Sequence, residues 1–421
     1  MKDCEKNLTL EFDFEIQLRP PLSSPYETKS ALLHIIIEKT NMLIRRKMVY
    51  LDNASTTHKK PRCVINAVRK GLTRLSVNSG RGAYKLAIKA SEEVYNTRVR
   101  ISNFLNNDDP SNIIFTGSCT QAINMALRGS VKLNGHIITT TFEHNSVLRT
   151  LNYLKHKYNI SYTIVSPKSP KLTRDDILKH IRPETYLVAV NHTSNVVGVT
   201  QDLKMIGDVC KSKKLLLFVD GAQSVGHTKI DMQKYNINML TVAGHKGVFA
   251  PQGIGVLALN NIKINPLIMG GTGTFSESIE QPNDPPEAFE SGTQSMANIL
   301  GVNAGFAYLE RKFDKISTKT KKLSQYLYDN LILINKVKVY SERENNGVIS
   351  FNIDGMTSSD VSNILSEKYN ICTRSGLHCA PLVHKYFGTI NRGMVRVSLS
   401  YFNSYRDITK FLKAIKVITT T

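Results

Sequence analysis

The 421-residue chain has no tryptophan, few cysteines and a shortage of acidic residues. Its six cysteines are Cys4, Cys63, Cys119, Cys210, Cys372 and Cys379. They form no CxxC pair, and their spacing does not suggest a disulfide framework. A reduced, cytosolic setting fits that pattern. No zinc-finger signature is present, and no metal site is expected. Long apolar runs are missing too. A membrane helix needs roughly 20 such residues, whereas the run from Ala31 to Ile37 is short and interrupted by His34. The same leader carries Asp3, Glu5, Glu11, Asp13 and Glu15, which argues against a signal or transit peptide. Neither a long low-complexity tract nor a repeat at a solenoid period occurs.

The acid shortage leaves 34 Asp and Glu against 55 Lys and Arg, a formal net charge of +21. Such a balance permits nucleic-acid binding, or attraction to an acidic partner or an anionic cofactor. The basic residues are spread out, however. The densest group, Lys315 to Lys322, falls in a helical surface segment and reads as a solvated face. Without an RNA-binding aromatic signature, nucleic acid is not an expected partner. At 41% hydrophobic residues, the chain is globular in composition and long enough for a large core and more than one domain.

Residues 1–47 differ in texture from the rest of the chain. They hold a mixed-charge start, a turn at Arg19-Pro20-Pro21 and a short helical pattern from Thr28 to Arg45. An N-terminal extension, or an upstream start codon chosen in error, would each account for this. From Met48 the pattern changes. Tyr50–Ala54 reads as a short strand leading into a polar turn. Helices are expected over Val64–Leu75, starting near Pro61, and over Lys85–Leu105, with a glycine-bearing loop, Asn78–Gly82, between them. From Ile113 to Leu259, short apolar runs alternate with helical patterns. That alternation predicts a mainly parallel sheet covered on both faces. Beyond about Asn298 a long helix leads into a smaller α+β region.

The stretch from Leu215 to Gly247 organises the middle of the chain. Asp220 ends one apolar run, Gln223 follows it, and a second run, Met239–Ala243, delivers Gly244, His245 and Lys246. In open α/β sheets the ligand crevice lies beyond the carboxyl ends of the strands. An Asp and a Lys facing that crevice suit pyridoxal phosphate: the lysine as Schiff-base partner of the aldehyde, the Asp as partner of the pyridinium nitrogen. An exposed lysine after a core strand and an Asp capping the next helix would suit the same residues. Other strand ends add polar loops. Thr116–Thr120 places a glycine and hydroxyls at a helix start, where free N–H groups suit a phosphate or simply a cap. Phe142–Ser146 carries His144, and Asn191–Asn195 is a third such loop. All fall at the same expected sheet edge as Asp220 and Lys246. A further stretch, Thr373–Pro381, sets Cys379 between His378 and Ala380, near Arg374. A loop thiol beside cations can be partly thiolate and nucleophilic; an incidental surface cysteine is the other reading.

Together these residues resemble the cysteine desulfurases of the class V aminotransferase group. The match runs from about Met48 to the C-terminus through YLDNASTT, NSGRGAYKLA, TGSCTQAINMAL, TTTFEHNSVLR, NHTSNVVGV, VDGAQSVGH, AGHKG, ESGT, RSGLHCAPL and VRVSLSYFN. The resemblance implies an α/β protein of PLP fold type I. Its large domain (48–310) would carry a mainly parallel seven-stranded sheet between helices, and a smaller α+β domain (311–421) would bear the cysteine loop. It implies pyridoxal 5′-phosphate as cofactor, L-cysteine as substrate, a homodimer with shared sites, and a sulfur-acceptor protein of an iron–sulfur or other thio-pathway. Lys246 is implied as the Schiff-base lysine, Asp220 as partner of the ring nitrogen and Gln223 as contact of the phenolic oxygen. His144 would stack on the ring and move protons. Cys119, Thr120 and His245 would hold the phosphate, with Thr293 reaching it from the partner subunit. Asn195 and Arg396 would bind the substrate carboxylate, Asn195 also lying against the cofactor. Arg374 would border the site, and Cys379 would accept sulfur as a persulfide, leaving alanine. Two positions depart from the pattern: Ala243 stands where relatives often place Ser or Thr, and Cys119 replaces a usual Ala, as a packing residue rather than a second nucleophile. The compact loop at Cys379 is similar to the branch that includes selenocysteine lyases. Selenocysteine lyase, cysteine lyase or another class V aminotransferase reaction is therefore the alternative.

Overall fold

The computed structural model describes residues 48–80, 82–274 and 276–420. The expected extension 1–47, and Arg81 of the glycine-bearing loop, lie outside the described residues.

In chain order the elements are β1 (Val49–Tyr50), α1 (Arg62–Thr73), α2 (Lys85–Leu105), β2 (Ile113–Thr116), α3 (Cys119–Gly129), β3 (His136–Thr140), α4 (Asn145–Tyr158) and β4 (Ser161–Val165). Then come α5 (Arg174–Leu178), β5 (Thr185–Asn191), α6 (Leu203–Ser212), β6 (Leu216–Asp220), β7 (Met239–Ala243), β8 (Gly255–Leu259) and α7 (Met296–Leu331). The chain ends with β9 (Val337–Val339), β10 (Val348–Ile353), α8 (Ser358–Tyr369), β11 (Ile371–Cys372), α9 (Pro381–Tyr386), β12 (Val395–Ser398) and α10 (Tyr405–Thr420).

Seven strands form the main sheet in the order β2-β8-β7-β6-β5-β3-β4. Neighbours from β7 through β4 pair in parallel, while β8 is antiparallel to both β7 and β2. Alternate side chains go to opposite faces, as the pleat requires. Phe115, Val188, Val190, Leu217, Val219 and Leu240 join one core. Ile114, Leu187, Ala189, Phe218, Met239 and Leu257 join the other. Because both faces are covered, the strands read as unbroken apolar runs rather than as alternation.

A second sheet, β12-β10-β9, is antiparallel and has its own core with α8 and α10. Helix α7 runs through residue 310 without interruption. Its first part packs against the main sheet through Ile299, Val302, Phe306 and Leu309; its last turns, with Leu323, Leu327 and Leu331, belong to the small-sheet core. Residues 48–421 form one compact unit.

The first strand differs from its expected form. Only Val49–Tyr50 is a strand, paired in parallel with β11. The segment after it makes a single parallel bridge, Asp52 with Ser398 of β12, and its backbone is then committed elsewhere. Asn53 N donates to the Ser398 carbonyl, Thr57 N donates to the His245 carbonyl, and the Ala54 carbonyl accepts from Gln223. This segment is a strap tying the small sheet to the carboxyl edge of the main one.

Candidate active site

The carboxyl ends of β2, β3, β5, β6 and β7 lie at one edge of the main sheet. Gly255, which opens the reversed strand β8, lies there too, opposite both Thr116 and Ala243. Beyond this edge is a cavity of about 230 Å³. Asp220 terminates β6 and is 2% exposed, with its Oδ1 accepting from Ala222 N at 2.9 Å. Lys246 stands in the turn after β7. Burial pushes its amine below the usual lysine value, and nearby Cys119 and Asp220 only partly oppose this. An amine depressed in this way holds more of the free-base form near neutral pH than a surface lysine does, and only that form can take a proton.

His144 caps α4. Its Nδ1 accepts from Ser146 N at 3.1 Å, so a neutral ring carries its proton on Nε2. Burial holds the ring below the ordinary histidine value, with Asp220 pulling the other way. The preceding Glu143 is fully buried. Its Oε1 accepts from the Thr140 hydroxyl at 2.6 Å and from Asn191 N at 3.0 Å, and burial raises its carboxyl to about 8.

Ser118 opens α3 and accepts from Gln121 N, leaving the N–H groups of Cys119 and Thr120 at the cavity. Burial, reinforced by Asp220, pushes the Cys119 thiol up and keeps it protonated. His245 also lines the cavity. Burial, then Lys246 and Lys60, lower it to about 4, and its buried Nδ1 has no partner among the described residues. Ala243 contributes only a methyl here. Gln223 donates to the Ala54 carbonyl at 2.9 Å.

The small sheet supplies the opposite wall. Arg396, on β12, is 1% exposed. It donates to the Asn195 carbonyl at 2.9 Å, to Asp52 Oδ1 at 2.6 Å and to Ser55 Oγ at 2.9 Å. Arg374 donates to the same Ser55 hydroxyl at 2.8 Å. Asn195 Nδ2 donates to the His378 carbonyl at 2.6 Å, while its buried Oδ1 and Arg396 Nε have no partner among the described residues. His378 and Cys379 are consecutive left-handed residues, with φ of 52° and 56°. The turn projects Cys379 into solvent at the cavity mouth, and the Cys379 carbonyl accepts from Asn145 N at 2.7 Å. His378 is not the cation that the sequence offered to this thiol. Its ring is buried against His384 and pushed well below the ordinary histidine value, chiefly by burial and then by Arg396.

Every site residue expected from the sequence lines this cavity except Thr293. Thr293 is exposed elsewhere, its hydroxyl accepting from Asn78 Nδ2 at 3.3 Å. Residues 49–411 match the family model described as "Aminotransferase class-V". The chain belongs to the class-V aminotransferase family. Among members, it is similar to a probable cysteine desulfurase of Pyrococcus abyssi, with 32% identity over 88% of this chain and 94% of that protein. Another probable cysteine desulfurase, from Methanothermobacter thermautotrophicus, is 31% identical over 86% and 92%. The apo structure of a cysteine desulfurase from Thermococcus onnurineus NA1 superposes with a TM-score of 0.83 at 29% identity, covering 89% of this chain and 95% of that one. For this class-V aminotransferase, the signals missed from sequence alone lie in the strap. Ala54 and Ser55 line the cavity, and Asp52 contacts Arg396. In the sequence these three residues fall within YLDNASTT and the polar turn after the first strand, which gave them no role of their own.

Proposed function

We propose that this chain is a cysteine desulfurase that uses pyridoxal 5′-phosphate to take sulfur from L-cysteine, acting as a sulfurtransferase. One observation carries the proposal: Lys246, Asp220, Arg396 and Cys379, from three separate stretches, meet at one cavity. The residues present fit the cofactor. Asp220 is a buried carboxylate suited to a pyridinium nitrogen, and His144 offers a ring face. The α3 N-terminus, Thr120 and His245 offer donors to a phosphate. Gln223 would meet the phenolic oxygen, and Cys119 would pack beside the phosphate. Lys246 would carry the covalent link. The cofactor supplies an electron sink for charge at the substrate α-carbon.

The chain's own residues do the rest. Arg396, with Asn195, binds the substrate carboxylate, and Arg374 borders it. Lys246, depressed by burial, takes the α-proton and returns a proton to carbon. His144, neutral with its proton on Nε2, can hand a proton on. The Cys379 thiolate attacks the substrate sulfur. A sulfur–sulfur bond forms, the carbon–sulfur bond breaks, and the carbon takes a proton, leaving L-alanine and a Cys379 persulfide. Because Cys379 lies at the mouth, an acceptor protein can reach the persulfide.

This reading includes a homodimer, with Thr293 completing the site of the other subunit; its position outside the cavity of its own chain supports that arrangement. It also includes a division near 310 between a cofactor-binding part and a part bearing the Cys379 loop. A cytoplasmic location fits the free cysteines, and no helix among the described residues is long and apolar enough to cross a membrane. The test is to supply L-cysteine with a thiol reductant and measure alanine and sulfide together. Equal amounts support a desulfurase. Pyruvate in place of alanine, or turnover only with selenocysteine, points to the alternative reactions.

A further inference from the structure

Arg396 is already neutralised within its own chain. Its Nη2 meets Asp52 Oδ1 at 2.6 Å, in a pair whose side chains are 1% and 20% exposed. Ser55 closes the group: its hydroxyl donates to Asp52 Oδ1 at 2.8 Å and accepts from Arg396 and Arg374. An unpaired buried guanidinium would be costly, so an internal carboxylate stabilises the protein when no substrate is present. Yet Arg396 keeps a buried Nε–H without a partner among the described residues, and this residue lines the cavity. A second carboxylate arriving there meets a guanidinium already paired with Asp52; Arg374, joined through Ser55, keeps its positive charge in the group, while the Asp52 carboxylate behind Arg396 opposes the newcomer. Close charges of one sign oppose binding strongly at low effective dielectric.

We propose that Asp52 is a built-in competitor that sets substrate affinity by offsetting the charge of Arg396 against the incoming carboxylate. It acts through Arg396 and is a positioning residue, not a catalytic one. The inference rests on the reading of Arg396 as the carboxylate-binding residue. It also gives the strap a role, since Asp52 and Ser55 are held there by the Asn53 and Ala54 bonds to Ser398. An ion pair serving only to orient Arg396 would have the opposite consequence, because its loss would weaken carboxylate binding.

The experiment measures KM for L-cysteine, and the dissociation constant of L-alanine from the change in cofactor absorbance. Holoenzyme of the wild type is compared with Asp52→Asn, Asp52→Ser and Asp52→Glu. Removing the carboxylate lowers both constants about tenfold, the scale of one partly buried charge contact. Asp52→Glu restores values near wild type. Binding of cysteamine, which lacks a carboxylate, does not tighten, and a general structural change would not spare it selectively. Asp52→Ser serves if Asp52→Asn does not fold. A folded charge-removing variant with unchanged or raised constants overturns the inference. If wild type fails to release sulfur from L-cysteine, while L-alanine binds more tightly in Asp52→Asn, the desulfurase proposal fails and this inference stands.

Discussion

Replacing Glu143 with glutamine tests whether the turn that presents His144 is built on a neutral carboxyl. Glu143 is fully buried, accepts two hydrogen bonds through Oε1 and has no partner for Oε2 among the described residues. Burial raises its pKa from 4.5 in the unfolded chain to about 8 in the folded one. Between these values the folded state holds a proton that the unfolded state has lost, so stability falls as pH rises. The contribution is complete below 4.5 and gone above about 8. At ~1.4 kcal/mol per pKa unit, the loss between the unfolded pKa and pH 7 is about 3 kcal/mol. For a unit of this size that is about 4 °C in melting temperature. Glutamine keeps the two accepted bonds but does not titrate. Melting curves of wild type and Glu143→Gln, taken from pH 4.5 to 8, should therefore diverge, the variant gaining relative to wild type as pH rises. A difference independent of pH would refute the claim that this carboxyl is neutral in the fold.

Other residues give further expectations. Lys246→Ala should abolish the visible absorbance of bound pyridoxal phosphate that resists dialysis, read by spectrophotometry, while the melting temperature of cofactor-free protein stays near wild type. Gly255→Ala should weaken cofactor binding about tenfold in an equilibrium titration. The added Cβ would stand 2.5 Å from the Ser118 carbonyl carbon and 2.6 Å from Cys119 N, which would push the α3 N-terminus out of place. In acid, buried His192 and His384 should destabilise the protein. Burial lowers them to about 3 and about 4 from an unfolded 6.5, so protons bind the unfolded chain first. Denaturant midpoints should fall steadily from pH 6.5 to 4.

The main sheet was legible because its strands are short apolar runs with clear ends. Ile113–Thr116, Met239–Ala243 and Gly255–Leu259 occupy the expected positions. Helices α2 and α8 were equally plain, each closed by an asparagine, Asn106 and Asn370, in the left-handed conformation. The reversal of β8 was not anticipated. Only residues 244–254 join it to β7, too few for a helical crossover, so the loop length itself implies the reversal. The β1–β11 pair was out of reach: it is two residues long and joins Val49 to Ile371, with no periodicity to betray it. Strand placement alone brought Asp220, Lys246 and the strand-end loops to one sheet edge; their chemistry stayed open there and came from the resemblance. The strap was not legible in this way, because Asp52 and Ser55 acquire meaning only when the small sheet brings Arg396 and Arg374 to them. The neutral state of His378 was hidden for the same reason: burial, not composition, decides it.

Sulfur transfer to Cys379 is the claim on which the proposed function depends. It is tested most directly by incubating holoenzyme briefly with L-cysteine, without reductant, and mapping the peptides by mass spectrometry. The account predicts one added sulfur atom on the Cys379 peptide, removable by thiol, with L-alanine formed in equal amount. It also predicts no such addition on the Cys119 peptide. Alanine formed at the wild-type rate by Cys379→Ser, or sulfur found on a different cysteine, would contradict it.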